Sequence, residues 1–327
     1  MNRNIIDSDI WFRDPSNGRT VVAVDEIDKR IILQLDENCR KSYEAMARKF
    51  GMTANAIKKR VNRLLDEGLI RRFIVGLSLE MIGAELVIAL VQTDGTEFPE
   101  EFMKQIGESI DAIQVSPVAC GIGSLYCVFA FATGPKGILE LGGHLRSMKP
   151  TTNVDIHILV YPKGKKMELS KTHLKVLKAL LEDPRMAISD ISKRAGLTAR
   201  RVRRALNELQ DGGAVHLSVF WSLGSGSLTE VLVRIEWDSA TASADEIVNW
   251  LRKRYQHEFW SPFISATSPT IFARCVVEQL EKADQIMRQL KKAPFAEKIS
   301  SLVFFSTHVF EWPGTLKLQG LLEEEGV

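Results

Sequence analysis

Asn55, Lys59 and Asn62 recur at helical spacing in the stretch TANAIKKRVNRLLDE, residues 53–67, and Arg200, Arg204 and Asn207 do the same in TARRVRRALNELQDG, residues 198–212. On the opposite side of each stretch lies an apolar stripe, Ile57, Val61 and Leu64 in the first and Val202, Leu206 and Leu209 in the second, at the i, i+4, i+7 spacing of a buried helix face. Thr53 and Thr198 stand where a hydroxyl can accept an unpaired amide proton of the first turn. A short capped helix with an apolar back and a front of amides and cations has the chemistry to enter the major groove of duplex DNA. There, amide and guanidinium groups can read base edges and lysine can neutralise phosphate. Asn55, Lys59 and Asn62 are expected to face bases in one copy, and Arg200, Arg204 and Asn207 in the other. Lys58, Arg63, Arg71, Arg72, Arg201 and Arg203 are expected mainly at phosphates. Arginine favours guanine and asparagine favours adenine, so the two readers predict an asymmetric target.

These helices sit at matching places in a tandem repeat. A shift of 145 positions puts Gly51 on Gly196, Thr53 on Thr198, Asn62 on Asn207, Asp66 on Asp211 and Gly68 on Gly213. Ahead of the first reader, Ile27, Ile31 and Leu35 mark the inner face of a first helix, and SYEAMARKFG reads as a second, ended by Gly51. After it, LIRRFIVGLS alternates as a strand or wing. KTHLKVLKALL, ISDISKRAG and GGAVHLSVFWSL supply the same parts in the second copy. Three short helices and a wing make a winged helix-turn-helix.

The second half of each copy changes to a βαββαβ order, running from AELVIALVQT to NVDIHILVY and from TEVLVRIEW to KISSLVFFST. The expected fold is therefore α+β, with two tandem repeats, each a winged helix-turn-helix followed by a ferredoxin-like βαββαβ domain. The divisions fall at 1–23 (an N-terminal arm), 24–83, 84–161, 162–168 (a lysine-bearing linker), 169–223, 224–308 and 309–327 (a C-terminal tail whose end, GLLEEEGV, reads as solvated). In ELVIALVQ both alternate sets, Leu86, Ile88 and Leu90 against Val87, Ala89 and Val91, are apolar, which predicts cover on both faces. One cover is the domain's own helices. The other is a second sheet from the sister repeat or another chain, which predicts sheet-to-sheet pairing and a homo-oligomer, with Arg234 and Glu236 interrupting that face in the second repeat.

Residues 24–83 resemble the DNA-binding domain of the leucine-responsive regulatory protein (Lrp/AsnC) family. The resemblance is carried by Asp25-Glu26-Ile27-Asp28, Arg40 and Ser42, Ala47, Arg60, and the turn Glu67-Gly68-Leu69-Ile70. The βαββαβ half resembles that family's ligand-responsive oligomerisation domain, and DISKRAGLTARRVRRALNELQDGGAV continues the pattern in the second copy, with Thr172 and His173 in place of the opening Ile and Asp. The resemblance implies a transcriptional regulator that binds double-stranded DNA as a dimer or larger ring and is tuned by a small, amino-acid-like effector. The family's effector turn is roughly G-x-x-D. Here it reads Gly121-Ile122-Gly123-Ser124, and Ala266-Thr267-Ser268-Pro269 in the second copy, so the acid is absent from both. Gly121, Gly123 and Ser124 read equally as a ligand loop or a tight inter-strand turn. A minority of proteins resembling the family are decarboxylases of a tetrapyrrole, whose βαββαβ half holds carboxylates with cationic or histidine side chains; no such cluster is apparent along this sequence. A third reading is a scaffold that assembles with single-repeat relatives.

Composition narrows the remaining classes. Lys and Arg number 43 against 41 Asp and Glu in 327 residues, so attraction to nucleic acid must come from local clustering. Cys39, Cys120, Cys127 and Cys275 form no CxxC pair and have no histidines at zinc-ligand spacing, and the six histidines make no i, i+4 pair or triad motif, so neither metal, cofactor nor catalytic residue is expected. SLGSGSL, 222–228, lacks the lysine of a phosphate loop, and Trp11, Phe12, Trp260 and Trp312 are single aromatics. The N-terminus lacks a signal peptide's apolar core and no run reaches the ~18 apolar residues that span a bilayer, so a soluble cytoplasmic protein is expected, with no membrane partner.

Overall fold

A computed structural model of the chain describes residues 24–119, 124–221, 228–305 and 307–326. The first repeat runs α1 (Glu26–Glu37), α2 (Tyr43–Phe50), α3 (Ala54–Asp66), β1 (Ile70–Leu77), α4 (Leu79–Ile82), β2 (Ala84–Thr93), α5 (Pro99–Ser109), β3 (Ala112–Ala119), β4 (Ser124–Thr133), α6 (Gly134–Ser147) and β5 (Thr151–Val160). The second runs α7 (Lys171–Glu182), α8 (Ile188–Ala195), α9 (Ala199–Asp211), β6 (Val215–Trp221), β7 (Thr229–Trp237), α10 (Ala244–Arg254), β8 (Phe259–Ser265), β9 (Thr270–Val277), α11 (Leu280–Leu290) and β10 (Ala296–Phe304). A short strand, β11 (His308–Val309), and a last helix, α12 (Pro313–Glu324), follow. The tandem order anticipated from the sequence is present in both copies, and the chain divides by function of its parts rather than by repeat. Both winged helices and α12 make one compact unit, and both βαββαβ halves make the other.

In the winged unit, β1 and β6 pair antiparallel, from Arg72 opposite Phe220 to Leu77 opposite Val215, so the two wings form one two-stranded sheet. A two-stranded ribbon has little stability alone. Here Val75, Leu77 and Leu217 enter a core with Leu174, Leu177, Leu206 and Leu209 of the second copy and Leu318 and Leu322 of α12. The end of the tail, GLLEEEGV, is thus not simply solvated: its Leu322 is buried on the same face of α12, at i, i+4, as the completely buried Leu318. Thr315 donates to the Val75 carbonyl at 2.8 Å. Gly76 lies so close to this helix that an added Cβ would meet the Thr315 nitrogen at 2.7 Å. The lysine-bearing linker is docked as well, with Lys165 N–H donating to Gly213 O at 3.0 Å and Glu80 N–H to Lys163 O at 2.8 Å.

In the other unit the strands run β10-β7-β9-β8-β5-β2-β4-β3, and β3 pairs back onto β10, with β11 continuing along the same edge of β3. The two four-stranded halves therefore close into one barrel through two seams, β5 with β8 and β3 with β10. Closure leaves no open edge in the ring. The outer strand faces pack beneath each half's own helices, Val87, Ala89 and Val91 with Phe102, Met103 and Ile106 in one, Val231, Val233 and Ile235 with Ile247, Val248 and Leu251 in the other. The inner faces meet across the lumen, where Phe129 of β4 and Phe263 of β8 lie edge to face at 5.1 Å. Leu86, Ile88 and Leu90 are buried there, so the predicted double cover of β2 is real and its second layer comes from the sister repeat. Arg234 and Glu236 do not weaken this closure as expected. Arg234 reaches across the barrel to Asp155 at 2.7 Å and pairs with Glu236 at 2.9 Å.

Candidate nucleic-acid interface

The local sequence builds both reading helices in the same way. Thr53 accepts the Ala56 N–H at 3.2 Å and Thr198 the Arg201 N–H at 3.4 Å, so both threonines are caps. Ile57, Val61, Leu64, Val202 and Leu209 are essentially buried, and Leu206 is 6% exposed, which fixes the rotation of each helix about its axis. Asn55, Lys58, Lys59 and Asn62 are left exposed on α3, and Arg200, Arg201, Arg203, Arg204 and Asn207 on α9. Gly51 and Gly196 end the preceding helices at φ 68° and 63°, left-handed values that glycine adopts without steric cost.

Three of the sequence-assigned phosphate ligands are also engaged within the protein. Arg63 is half-buried and bonded to the buried carboxylate of Asp28, with Glu67 at 3.8 Å. Arg60 joins the same carboxylate at 2.8 Å and also Asp25 at 2.7 Å. These bonds clamp the C-terminal half of α3 onto the start of α1. Arg71 and Arg72 are half-buried on β1 and have partners of their own.

The two copies are also locked by an exchange of arginines at equivalent positions. Arg40, between α1 and α2, donates to Pro184 O at 2.7 Å and Met186 O at 3.0 Å, and Arg185, between α7 and α8, donates back to the Cys39 carbonyl. Arg185 also lies over the rings of Tyr43 and Phe73 at 4.7 and 5.3 Å. Sequence reading gave Arg40 as part of the family resemblance and passed over Arg185. Only the 145-residue shift, which pairs the two positions, signals their common role.

Comparison with known proteins bears on what such a pair of helices belongs to. Residues 24–65 match the AsnC-type helix-turn-helix domain, and residues 169–215 match a winged helix-turn-helix DNA-binding domain. An uncharacterised HTH-type transcriptional regulator of Pyrococcus horikoshii is 26% identical over 140 residues, 42% of this chain and 92% of that protein. The transcriptional regulator Ptr1 of Methanocaldococcus jannaschii is 27% identical over 96 residues, 28% of this chain and 65% of its own length. The chain carries an AsnC-type helix-turn-helix domain. The whole tandem also shares its fold with the siroheme decarboxylase NirDL, solved with an iron-uroporphyrin III analogue, at a TM-score of 0.55 and 12% identity over 92% of this chain and 98% of that one.

In the turn between β3 and β4, Gly121 and Gly123 lie outside the described residues, as do Cys120, Trp11, Phe12, the N-terminal arm and most of SLGSGSL. Ser124 opens β4, half-buried. Beside it stands an acid that sequence reading missed. Glu97 accepts from Thr93 at 2.7 Å and Tyr126 at 2.8 Å through Oε1, while its Oε2 is buried with no hydrogen-bond partner. Hydrogen bonds from Thr93, the Glu97 backbone, Tyr126 and Ser124 outweigh burial and hold its carboxyl below the usual range. The second copy has Ala242 at the equivalent position, so this feature belongs to the first copy alone.

The barrel interior also carries charge that the linear sequence disperses. His157, 3% exposed, meets Ser265 at 3.1 Å and Asp155 at 3.2 Å and lies edge to face with Phe272. Its hydrogen bond is the main reason that Asp155 is held down to about 2, with Arg234 adding to it. Arg274 pairs with Glu230 at 2.8 Å and sits over the Phe263 ring at 4.9 Å. Among the described residues no group of His, Cys, Asp and Glu could hold a metal, and no helix is long and apolar enough to cross a membrane. Cys39, Cys127 and Cys275 are buried, and burial pushes the Cys39 thiol up to about 11.

Proposed function

We propose that the protein is a sequence-specific, double-stranded DNA-binding transcriptional regulator with two non-identical reading helices in one chain. The observation that carries this is the pair of threonine-capped helices, each rotated by its buried stripe so that amides and cations face solvent, on wings joined as one sheet. In copy one Asn55, Lys59 and Asn62 approach bases and Lys58 a phosphate. In copy two Arg200, Arg204 and Asn207 approach bases and Arg201 and Arg203 phosphates. Arg63, engaged with Asp28, is left out of that set. The effector is a small molecule with an ammonium group, received by Glu97 beside Ser124, because a carboxylate oxygen without a partner is a ready acceptor for that charge.

The test is repeated selection from a random pool of short duplexes, with the survivors titrated at several salt concentrations. A steep loss of affinity with salt and an enriched, asymmetric sequence are expected, since phosphate contacts carry the salt dependence and base contacts the enrichment. Absence of binding at low salt, or a strictly twofold site, counts against the proposal.

A second reading, decarboxylation of a tetrapyrrole, is favoured by the fold shared with NirDL and by the His157 and Arg234 network. It is the weaker reading because Asp155, Glu230 and Glu236 stand against both Arg234 and Arg274, which leaves little positive charge to hold a polycarboxylate. Titration with iron uroporphyrin, followed by its visible absorption, is expected to show no saturable binding; a tight stoichiometric complex would favour the enzyme.

A further inference from the structure

We infer that Glu208 is a positioning residue that fixes Arg204 as the base-reading guanidinium of α9, and that His173 holds Glu208 in turn. The inference rests on the DNA-reading assignment above. The repeat register makes the device visible. Position 173 corresponds to 28, 204 to 59 and 208 to 63. In the first copy the acid is on α1 and the base on the reading helix, Asp28 with Arg63. In the second the polarity is reversed, and the carboxylate of Glu208 now belongs to the reading helix.

Its two oxygens are used separately. Oε2 meets His173 Nε2 at 2.9 Å, and Oε1 accepts from Arg204 Nε at 2.7 Å. His173 is itself fixed, because its Nδ1 accepts the Ser170 N–H at 3.2 Å in the capping box of α7. With Nδ1 acting as acceptor, the ring proton lies on Nε2 and is donated to Glu208. Ser170, His173, Glu208 and Arg204 thus form a directed chain from the α7 cap to a side chain that is 81% exposed.

An exposed i, i+4 pair adds little to fold stability. Its effect is geometric. Binding through Nε leaves the four Nη–H donors of Arg204 for a base edge and restricts the rotamers of a long side chain before DNA arrives. A carboxylate near the phosphates lowers affinity for every duplex, so Glu208 trades general affinity for discrimination. Copy one lacks the device: Lys59 stands in place of Arg204, and Arg63 in place of Glu208 is turned to Asp28.

The experiment uses the full chain, a duplex enriched by selection, and its single-base variants. Arg204→Ala first locates the base pair that Arg204 reads, as the position where preference disappears. Glu208→Gln is then expected to reduce discrimination at that pair about tenfold, within the range of one good base contact, while affinity for unrelated duplex rises. His173→Ala, which keeps both Arg204 and Glu208, should give a smaller loss at the same pair. Unchanged discrimination in Glu208→Gln overturns the inference, as does an equal loss at the positions read by Arg200 and Asn207, which would mark a general disturbance of α9. If the unmodified chain enriches no sequence, the DNA-reading assignment falls first and this one with it, an outcome distinct from enrichment with an indifferent Glu208.

Discussion

Asp28 and His173 occupy one position of the repeat and solve the same local problem with opposite hydrogen-bonding polarity toward the reading helix. Each lies near the start of a first helix, accepts a backbone N–H in a capping box, and meets the reading helix thirty-five residues on. Opposite polarity makes α3 a helix whose later cations are tied down and α9 one whose arginines stay exposed. Replacing both Arg200 and Arg204 by alanine should therefore cost several kcal/mol of specific DNA affinity, at about 1 to 3 per base contact, with no comparable loss of thermal stability. Fluorescence anisotropy beside a melting curve separates the two. His216 gives a second residue-scale prediction. Its ring is stacked on Trp312 at 4.8 Å, and burial holds its pKa down to about 4 from 6.5. Between those values the unfolded chain binds a proton that the folded chain refuses, so stability is full above about 6.5 and falls as pH drops toward 4. Melting temperature against pH should show that slope in the unmodified chain, and His216→Phe should flatten it.

Elements that are marginal alone are stabilised here by the other copy. The joined wings depend on α12 for cover, and Leu318 is fully buried between them and the second copy's helices. Leu318→Ala should cost about 2 to 5 kcal/mol, the range for a large core residue cut to alanine, and lower the urea midpoint. A surface-level effect of a few tenths would show that α12 merely rests on the sheet. The caps are weaker devices: Thr53→Ala and Thr198→Ala should each cost about 1 kcal/mol, and by similar amounts because their geometry matches.

At the scale of the molecule, sheet-to-sheet pairing uses both edges of each βαββαβ half within one chain. Closure needs no second copy, so self-association of the chain, expected from the sequence, has to use surfaces other than the strand edges of the barrel. Far-ultraviolet circular dichroism should find the secondary structure unchanged at a concentration where sedimentation finds single chains. The seam network supplies a pH signature. Asp155 has a depressed folded-state value, about 2 against 3.8, so its stabilisation is present above the ordinary value and lost as pH falls through about 2. Asp155→Asn should be less stable at neutral pH and lose less than the unmodified chain between pH 4 and 2, as read by acid unfolding.

The repeat, the order of elements and the faces of the two reading helices are legible in the amino-acid sequence alone. Those depend on periodicity, caps and glycines within a few residues of one another, as Thr53, Ile57, Val61 and Gly51 illustrate. The double apolar face of β2 even announced a second layer of sheet. Tertiary contacts alone settle that this layer is the sister repeat, that α12 covers the wings, and that Arg63 is bonded to Asp28 while Arg204 stays exposed beside Glu208. His157 finds Ser265 across 108 residues, Arg234 finds Asp155 across 79, and Arg40 finds Pro184 across 144. No local spacing rule reaches so far, because such contacts are fixed by how the repeats fold onto each other and not by the helix or strand that carries each residue.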